Sequence, residues 1–544
     1  MIPASNGSAP ATGLPWATPR PGACPFLEGI GRRDFRDRVA AAASDWRVVC
    51  VASVSLWIAV RMVFFVGLVG SDDLHHMRFA MCWDRAPANH WETRLLANAV
   101  IAAAMQLFGR NQIAASLPSM LSSLTVLGCV LWWCHRYGTI VQAWWAAAML
   151  VLLPIDVEGA TSVSAYPLMV AFATVGTLGV LKAPRSNAAL ALCVGSMAAA
   201  VLAHLSAAYY VASLCTVFAM FGGQEYRRAA CLAALSVPLA LAIDSTAFGL
   251  LYGDPWLHFR LAAGQAALVD PVAPLLSAGR FNAQFFIWPI QQLLFSKQFG
   301  FSVVLVSVVA VGRRRRWSKE LRLLLAVAAL YWAWINFGTQ VPWAYRPFYR
   351  VARFWQPVSL VLCVAFGAWV AGGSRGVRWI GATALAICLG NLLAGGSWGQ
   401  SVRASGELLE YARRHSDRTF VTDVHTLNEM YVLNGATPPG NVFTTDDAPS
   451  WKPFDRTAKR LDDTGIGGCD GVLYNPLNAQ RLPSFRARIN AHLGIETHRF
   501  DLSHRAIAAL FSPLREYPWF VRRPPSIVYS IDAPRAENGG VNGG

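Results

Sequence analysis

Two adjacent carboxylates and two adjacent imidazoles, in Ser71-Asp72-Asp73-Leu74-His75-His76, begin where the apolar run Val48 to Gly70 stops. Carboxylates at the exit of a membrane span are poor anchors, and their chemistry suits a site that takes up a proton or faces a cationic centre. Asp72 or Ser71 could simply cap a juxtamembrane helix over residues 73–82. A cap needs one residue, however, and here two acids are followed by two histidines. Those histidines fit a metal poorly, because adjacent imidazoles point apart on a helix and no second pair accompanies them at ligand spacing.

Further polar side chains gather in four segments that also carry Trp, Tyr or Phe: residues 71–94, 155–165, 252–298 and 338–355. Aromatics at the headgroup level and snorkelling arginines account for much of this pattern. The ionisable members of these segments include His75, Arg94, Asp156, Glu158, Arg346, Arg350 and Arg353.

The elements that must position these residues are membrane helices. The chain is 54% hydrophobic and 14% charged, with 21 Trp and 28 Phe, whereas a soluble chain is about 25% charged. An α-helix crosses the hydrocarbon core in roughly 17–25 apolar residues, and about eleven such windows occur. They lie at 48–70, 113–133, 139–154, 164–181, 188–203, 206–221, 229–251, 299–312, 320–337, 356–372 and 378–396. Basic residues mark alternate connections: Arg136, then Lys182 with Arg185, Arg227 with Arg228, Arg313 to Arg316 with Lys319, and Arg375 with Arg378. By the positive-inside rule these turns and the N-terminus, which carries Arg32, Arg33, Arg36 and Arg38, are cytoplasmic. An odd number of spans puts the C-terminus outside.

The expected organisation is a disordered cytoplasmic tail over 1–46 without a cleaved signal peptide, a transmembrane module over 47–396, an extracytoplasmic α/β domain over 397–537 and a Gly-rich tail over 538–544. Strands are expected at Arg418–Asp423, Gly471–Tyr474 and Ser526–Ser530, with a helix at His425–Leu433. Asp423, at a strand end, could bind an acceptor but reads first as a turn-forming Asp. The net charge of +16 is dispersed over loops, as orientation and attraction to anionic headgroups require, and forms no nucleic-acid module. Only Cys82 and Cys469 would meet an oxidising exterior, and their spacing matches no metal motif.

The acidic pair after the first span resembles the polyprenyl-phosphate-sugar transferases of GT-C type, a group that includes the protein O-mannosyltransferases and the bacterial aminoarabinose transferases. So do Leu107-Phe108-Gly109, Ala114-Ala115-Ser116-Leu117-Pro118-Ser119, Tyr252-Gly253-Asp254-Pro255 and Arg353-Phe354-Trp355-Gln356-Pro357. The likeness runs over about residues 48–400. Where that family has Asp-Glu, this chain has Asp72-Asp73, and the basic residue two positions on is His75, whose phosphate contact would depend on protonation. Thr93-Arg94-Leu95-Leu96 replaces a Lys-Pro-Pro-Leu stretch, which gives Arg94 the phosphate role. The family acid ahead of Met-Pro-Leu is Ala165 here, ahead of Tyr166-Pro167-Leu168, with Asp156 or Glu158 left to compensate.

The resemblance implies a multi-pass enzyme of the inner or plasma membrane that moves a sugar from a polyprenyl-phosphate donor to an envelope acceptor on the extracytoplasmic side. Asp72 and Asp73 would supply the base and orient the acceptor, while Arg94, Arg346, Arg350 and Arg353 would bind the phosphate. Its partners are the lipid-linked sugar, the acceptor and membrane lipids. No resident cofactor is expected, a divalent cation remains open, and no Gly-rich phosphate loop is present. A multi-spanning transporter or lipid flippase is the alternative, and a noncatalytic assembly or sensor protein a third. Against transport stand the absence of a half-to-half repeat and the clustering of acids at one surface. Arg61 and Asp244 are the main charges within the apolar windows.

Overall fold

The computed structural model describes residues 44–70, 72–83, 85–268, 276–277, 280–281, 283–295, 298–299, 317–339, 352–394, 400–435, 437, 439–444, 469–479, 485, 489, 493–500 and 526–531. Arg346, Arg350, the Arg313–Arg316 turn, almost all of the expected span 299–312 and both expected tails lie outside the described residues, save for the start of the first helix.

The bundle comprises α1 (Trp46–Val63), α2 (Asp72–Met81), α3 (Leu95–Phe108), α4 (Gln112–Tyr137), α5 (Ile140–Leu152), α6 (Pro154–Thr161), α7 (Ala165–Lys182), α8 (Asn187–Ala203), α9 (Ala207–Phe221), α10 (Gln224–Ala234), α11 (Ser236–Tyr252), α12 (Leu257–Leu268), α13 (Ala283–Phe295), α14 (Lys319–Phe337), α15 (Ser359–Ala371) and α16 (Arg375–Ala394). Local chemistry sets many of the starts. Asn111 accepts from the Ala114 amide at 2.9 Å, Thr139 from Gln142 at 3.2 Å and Ser186 from Ala189 at 3.3 Å, each satisfying an otherwise orphaned donor. Gly367 on α15 lets that helix close on α5, since a Cβ there would meet the Ala146 methyl at 2.9 Å.

Every expected span other than 299–312 falls on a helix or, for 229–251, on the pair α10 and α11. The expected count of eleven is not confirmed: among the described residues, which leave out almost all of 299–312, seven helices, with α10 and α11 taken as one, are long and apolar enough to cross a membrane, or eight if α5 and α6 form one broken span. Helices α8 and α9, expected to span, have 17 and 15 residues, or roughly 22–26 Å at 1.5 Å per residue, against a hydrocarbon core of about 30 Å. The first span also ends early. Residues 64–70 leave the helix, and within them Gly67 and Gly70 adopt φ of +71° and +88°, a left-handed backbone that glycine accepts without a steric penalty. The Gly67 amide then donates to the Thr161 carbonyl at 3.0 Å.

After α17 (Gln400–Arg414) comes a five-stranded mixed sheet built from β1 (Phe420–Thr422), β2 (Val442–Thr444), β3 (Gly471–Tyr474), β4 (Leu493–Phe500) and β5 (Ser526–Ile531), in the order β2-β1-β3-β5-β4. Strands β2, β1 and β3 are parallel, and β5 runs antiparallel to β3 and β4. Between β1 and β2 lies α18 (Val424–Leu433), and a short α19 (Pro476–Ala479) follows β3. Asp423, expected as a turn-forming Asp at the strand end, caps α18 by accepting from the Thr426 amide at 2.8 Å. This unit is not detached from the bundle: Val402, Tyr431 and Val432 share a buried cluster with Leu68, Met77 and Val163.

Candidate active site

Helix α2 is the expected helix at the membrane exit, beginning at Asp72 rather than at residue 73. The two acids do different things. Asp73 Oδ2 accepts from the Val69 amide and from the Gly70 amide at 3.2 Å, which clamps the glycine turn ahead of the helix. Asp72 instead approaches Arg353, with Oδ2 2.9 Å from Nη2. Arg353 lies in a 3₁₀ helix, Ala352–Val358, that leads into α15. Its neighbour Gln356 donates Nε2 to the Ile155 carbonyl at 2.9 Å and so ties this turn to α6.

Asp72, Asp73 and Arg353 line a cavity of about 80 Å³, completed by Glu158 of α6 and by Ser164 and Tyr166 at the start of α7. That volume is several times the ~10–15 Å³ a single water requires. Three carboxylates and one guanidinium face a common space.

Of the two acids proposed to replace the carboxylate missing at Ala165, only Glu158 lines the cavity. Asp156 is buried against Arg61 of α1, and Ser123 Oγ donates to it at 2.7 Å. Arg61 also donates Nη1 to the Val151 carbonyl at 2.6 Å, at the point where α5 and α6 bend by 58°. Pro154 starts α6, and a carbonyl freed at such a break must find a donor inside an apolar bundle. Breaking a buried ion pair typically costs about 3–5 kcal/mol, so the Asp156–Arg61 pair holds the bend, and Asp156 does not line the cavity. Asp244, the other main charge within the apolar windows, is paired with His258 at 2.8 Å.

His75 does not meet the expectation of a phosphate contact. It is buried, stacks on Trp91 at 4.8 Å and takes a hydrogen bond from Asn89 Nδ2 on Nδ1 at 3.0 Å. Burial, helped by the nearby Arg78, pushes its pKa down to about 3, so the ring is neutral at physiological pH. His76 is neutral for the same reason, burial first and Arg94 second, with a pKa of about 3. Its ring donates from Nδ1 to Asn98 Oδ1 at 2.7 Å and accepts from Arg94 Nη1 on Nε2 at 3.1 Å.

Arg94 therefore rests on a neutral ring, and among the described residues no carboxylate lies within ion-pair distance of it. Its guanidinium carbon is 5.4 Å from the Tyr166 ring centre, and that of Arg353 is 5.3 Å from the same ring. One aromatic thus gathers two guanidinium groups from positions far apart in sequence. His204, between α8 and α9, packs 4.6 Å from Tyr166. Its Nδ1 accepts from the Ser206 amide at 3.1 Å, which places the proton on Nε2, a buried donor with no hydrogen-bond partner among the described residues. Tyr166 and His204 were not among the candidates read from sequence. Tyr166 stood in the quoted Tyr166-Pro167-Leu168 segment, whereas His204 carried only the signal of one imidazole in an apolar stretch.

Tyr252-Gly253-Asp254-Pro255 closes α11, where Asp254 pairs with Arg260 away from the cavity lining. Among the described residues no group of three or more His, Cys, Asp or Glu side chains could hold a metal ion.

No family model matches the sequence, and no curated protein sequence does. The fold does have solved counterparts. The crystal structure of ArnT from Cupriavidus metallidurans in the apo state superposes with a TM-score of 0.53 at 13% identity, covering 90% of this chain and 98% of that one. The chain has the GT-C fold. The crystal structure of the same ArnT bound to undecaprenyl phosphate superposes on it with a TM-score of 0.52 at 12% identity, covering the same shares of the two chains. Within this GT-C fold the acids and Arg353 sit where the bundle meets the C-terminal sheet unit, since Leu68 and Met77 of the acid-bearing segment pack on Val402 and Tyr431.

Proposed function

We propose that this protein is a membrane glycosyltransferase that moves a sugar from a polyprenyl-phosphate donor to an envelope acceptor. The observation that carries the reading is the cavity in which Asp72, Glu158 and Arg353 converge, in a GT-C fold whose counterpart ArnT was crystallised with undecaprenyl phosphate. A sugar on polyprenyl phosphate already carries its leaving group. The enzyme must take the proton from the acceptor nucleophile as that atom bonds to the anomeric carbon, while the carbon–oxygen bond to phosphate breaks and its electron pair leaves on the phosphate.

Asp72 is the base in this reading, and Glu158 faces the positive charge that develops on the sugar. Arg353 passes from Asp72 to the donor phosphate, which releases the carboxylate for its task. Arg94 and the Nε2–H of His204 supply two further donors around Tyr166. Asp73 keeps the turn in place. A transporter is disfavoured because Arg61 and Asp244, the main charges within the apolar helices, are both committed to partners. Full-length protein purified in detergent is expected to release polyprenyl phosphate from a polyprenyl-phosphate sugar only when an acceptor is added. Absence of turnover with every lipid-linked sugar supplied, together with absence of donor binding, sinks the proposal.

The cavity and the C-terminal unit lie on the extracytoplasmic side in this reading, supported by the basic turns on the opposite connections. Reporter fusions after Arg316 and after residue 400 are expected to report opposite compartments. A single compartment for both removes the orientation.

A further inference from the structure

The loop that carries the acids is held from above as well as from within. Arg403 of α17 donates Nη2 to the Phe65 carbonyl at 2.9 Å. At the other end of the loop Glu429 of α18 lies so close to Gly70 that a Cβ there would stand 2.7 Å from its Oε1. Glu429 is 2% exposed, and its other oxygen accepts from Ser405 Oγ at 2.6 Å and Asn478 Nδ2 at 3.1 Å. Asn475, where β3 ends, donates to Ser405 at 3.1 Å, and Asn478 also reaches Thr426, whose hydroxyl donates to Asp423 at 2.6 Å. The carboxyl ends of the parallel strands β1 and β3 thus form a buried polar network whose last member abuts Gly70. A satisfied buried network is stiff, and what it touches is located with it.

We propose that the C-terminal unit is a positioning element of the candidate active site. Through Arg403 and Glu429 it sets the loop Phe65–Gly70, and with it the Asp73 clamp that fixes where α2 begins and where Asp72 meets Arg353. The inference rests on the transferase reading for its consequence in rate but not for its structural content. Neither Arg403 nor Glu429 lines the cavity, so each acts through the loop.

The test uses the full chain in detergent. Gly70→Ala pushes a methyl group into the Glu429 carboxyl and places alanine at positive φ. Turnover is expected to fall about tenfold with donor KM unchanged, below the ~10²-fold that follows a 1 Å misplacement. Hydrogen exchange at the backbone amides of positions 69 and 70 is expected to quicken. Adding Glu429→Asp to Gly70→Ala shortens the opposing side chain and is expected to recover part of the turnover. Arg403→Gln, which removes the tether without adding an atom to the packed side, is expected to lower kcat with KM unchanged even if Gly70→Ala does not fold. Folded Gly70→Ala or Arg403→Gln with wild-type kcat and wild-type exchange at positions 69 and 70 overturns the proposal. If wild-type protein transfers no sugar, the transferase reading fails, and the exchange rates alone still decide whether the C-terminal unit holds the loop.

Discussion

Asp72→Asn is expected to lower turnover by about 10²–10⁴-fold, the usual contribution of a general base, while the protein inserts and folds as before. The exchange keeps size and hydrogen-bonding capacity, and Asn caps a helix about as well as Asp, so a residue that only starts α2 would tolerate it. Asp72 has more than that to lose, because its Oδ2 is 2.9 Å from the Arg353 guanidinium in the cavity. Asp73→Asn is the internal comparison. Its acceptor bonds to the Val69 and Gly70 amides can be made by an amide oxygen, so its loss in rate is expected to be much the smaller of the two. Single-turnover rates with saturating donor check both. Near-normal rates in Asp72→Asn would leave Asp72 a structural residue.

Arg353→Ala is expected to cost about 10²–10³-fold in turnover, the scale found when one preorganised donor to a developing anion is removed. Arg353→Lys keeps the charge and is expected to fall between wild type and Ala, because the planar fork that reaches Asp72 while lying over the Tyr166 ring is lost. An arginine that merely snorkels to headgroup phosphate would accept Lys with little change. Donor titrations separate the cases: wild-type apparent affinity and turnover in the Lys variant would remove the specific role, and the same result in the Ala variant would remove Arg353 from the site.

Most of the helical architecture was legible in sequence because hydropathy is a local property summed over one segment. The windows 164–181 and 320–337 found Ala165–Lys182 and Lys319–Phe337 almost to the residue. The acid pair was legible too, since its position at a span exit needs no tertiary contact to interpret. The same holds for Asp423, whose cap partner Thr426 is three residues away.

What sequence could not separate was residues close in the chain that face different neighbours. Asp156 and Glu158 were equal candidates, yet two residues on a helix differ by about 200° in direction, and only the bend after Leu152 aims Asp156 at Arg61 and Glu158 at the cavity. His75 carried the signal of a phosphate ligand, and burial beside Trp91 made it a neutral packing residue.

The sequence by itself determined that the chain is membrane-embedded, roughly where most of its apolar helices lie, and that acids crowd one exit, because each of these follows from the free energy of transferring a short segment between water and lipid. Only the tertiary structure decided that Asp72 meets Arg353, that Tyr166 gathers Arg94 and Arg353, and that Glu429 closes on Gly70. Those partners lie tens to hundreds of positions apart, and their meeting depends on the packing of the whole bundle and sheet, to which no local pattern of residue types refers.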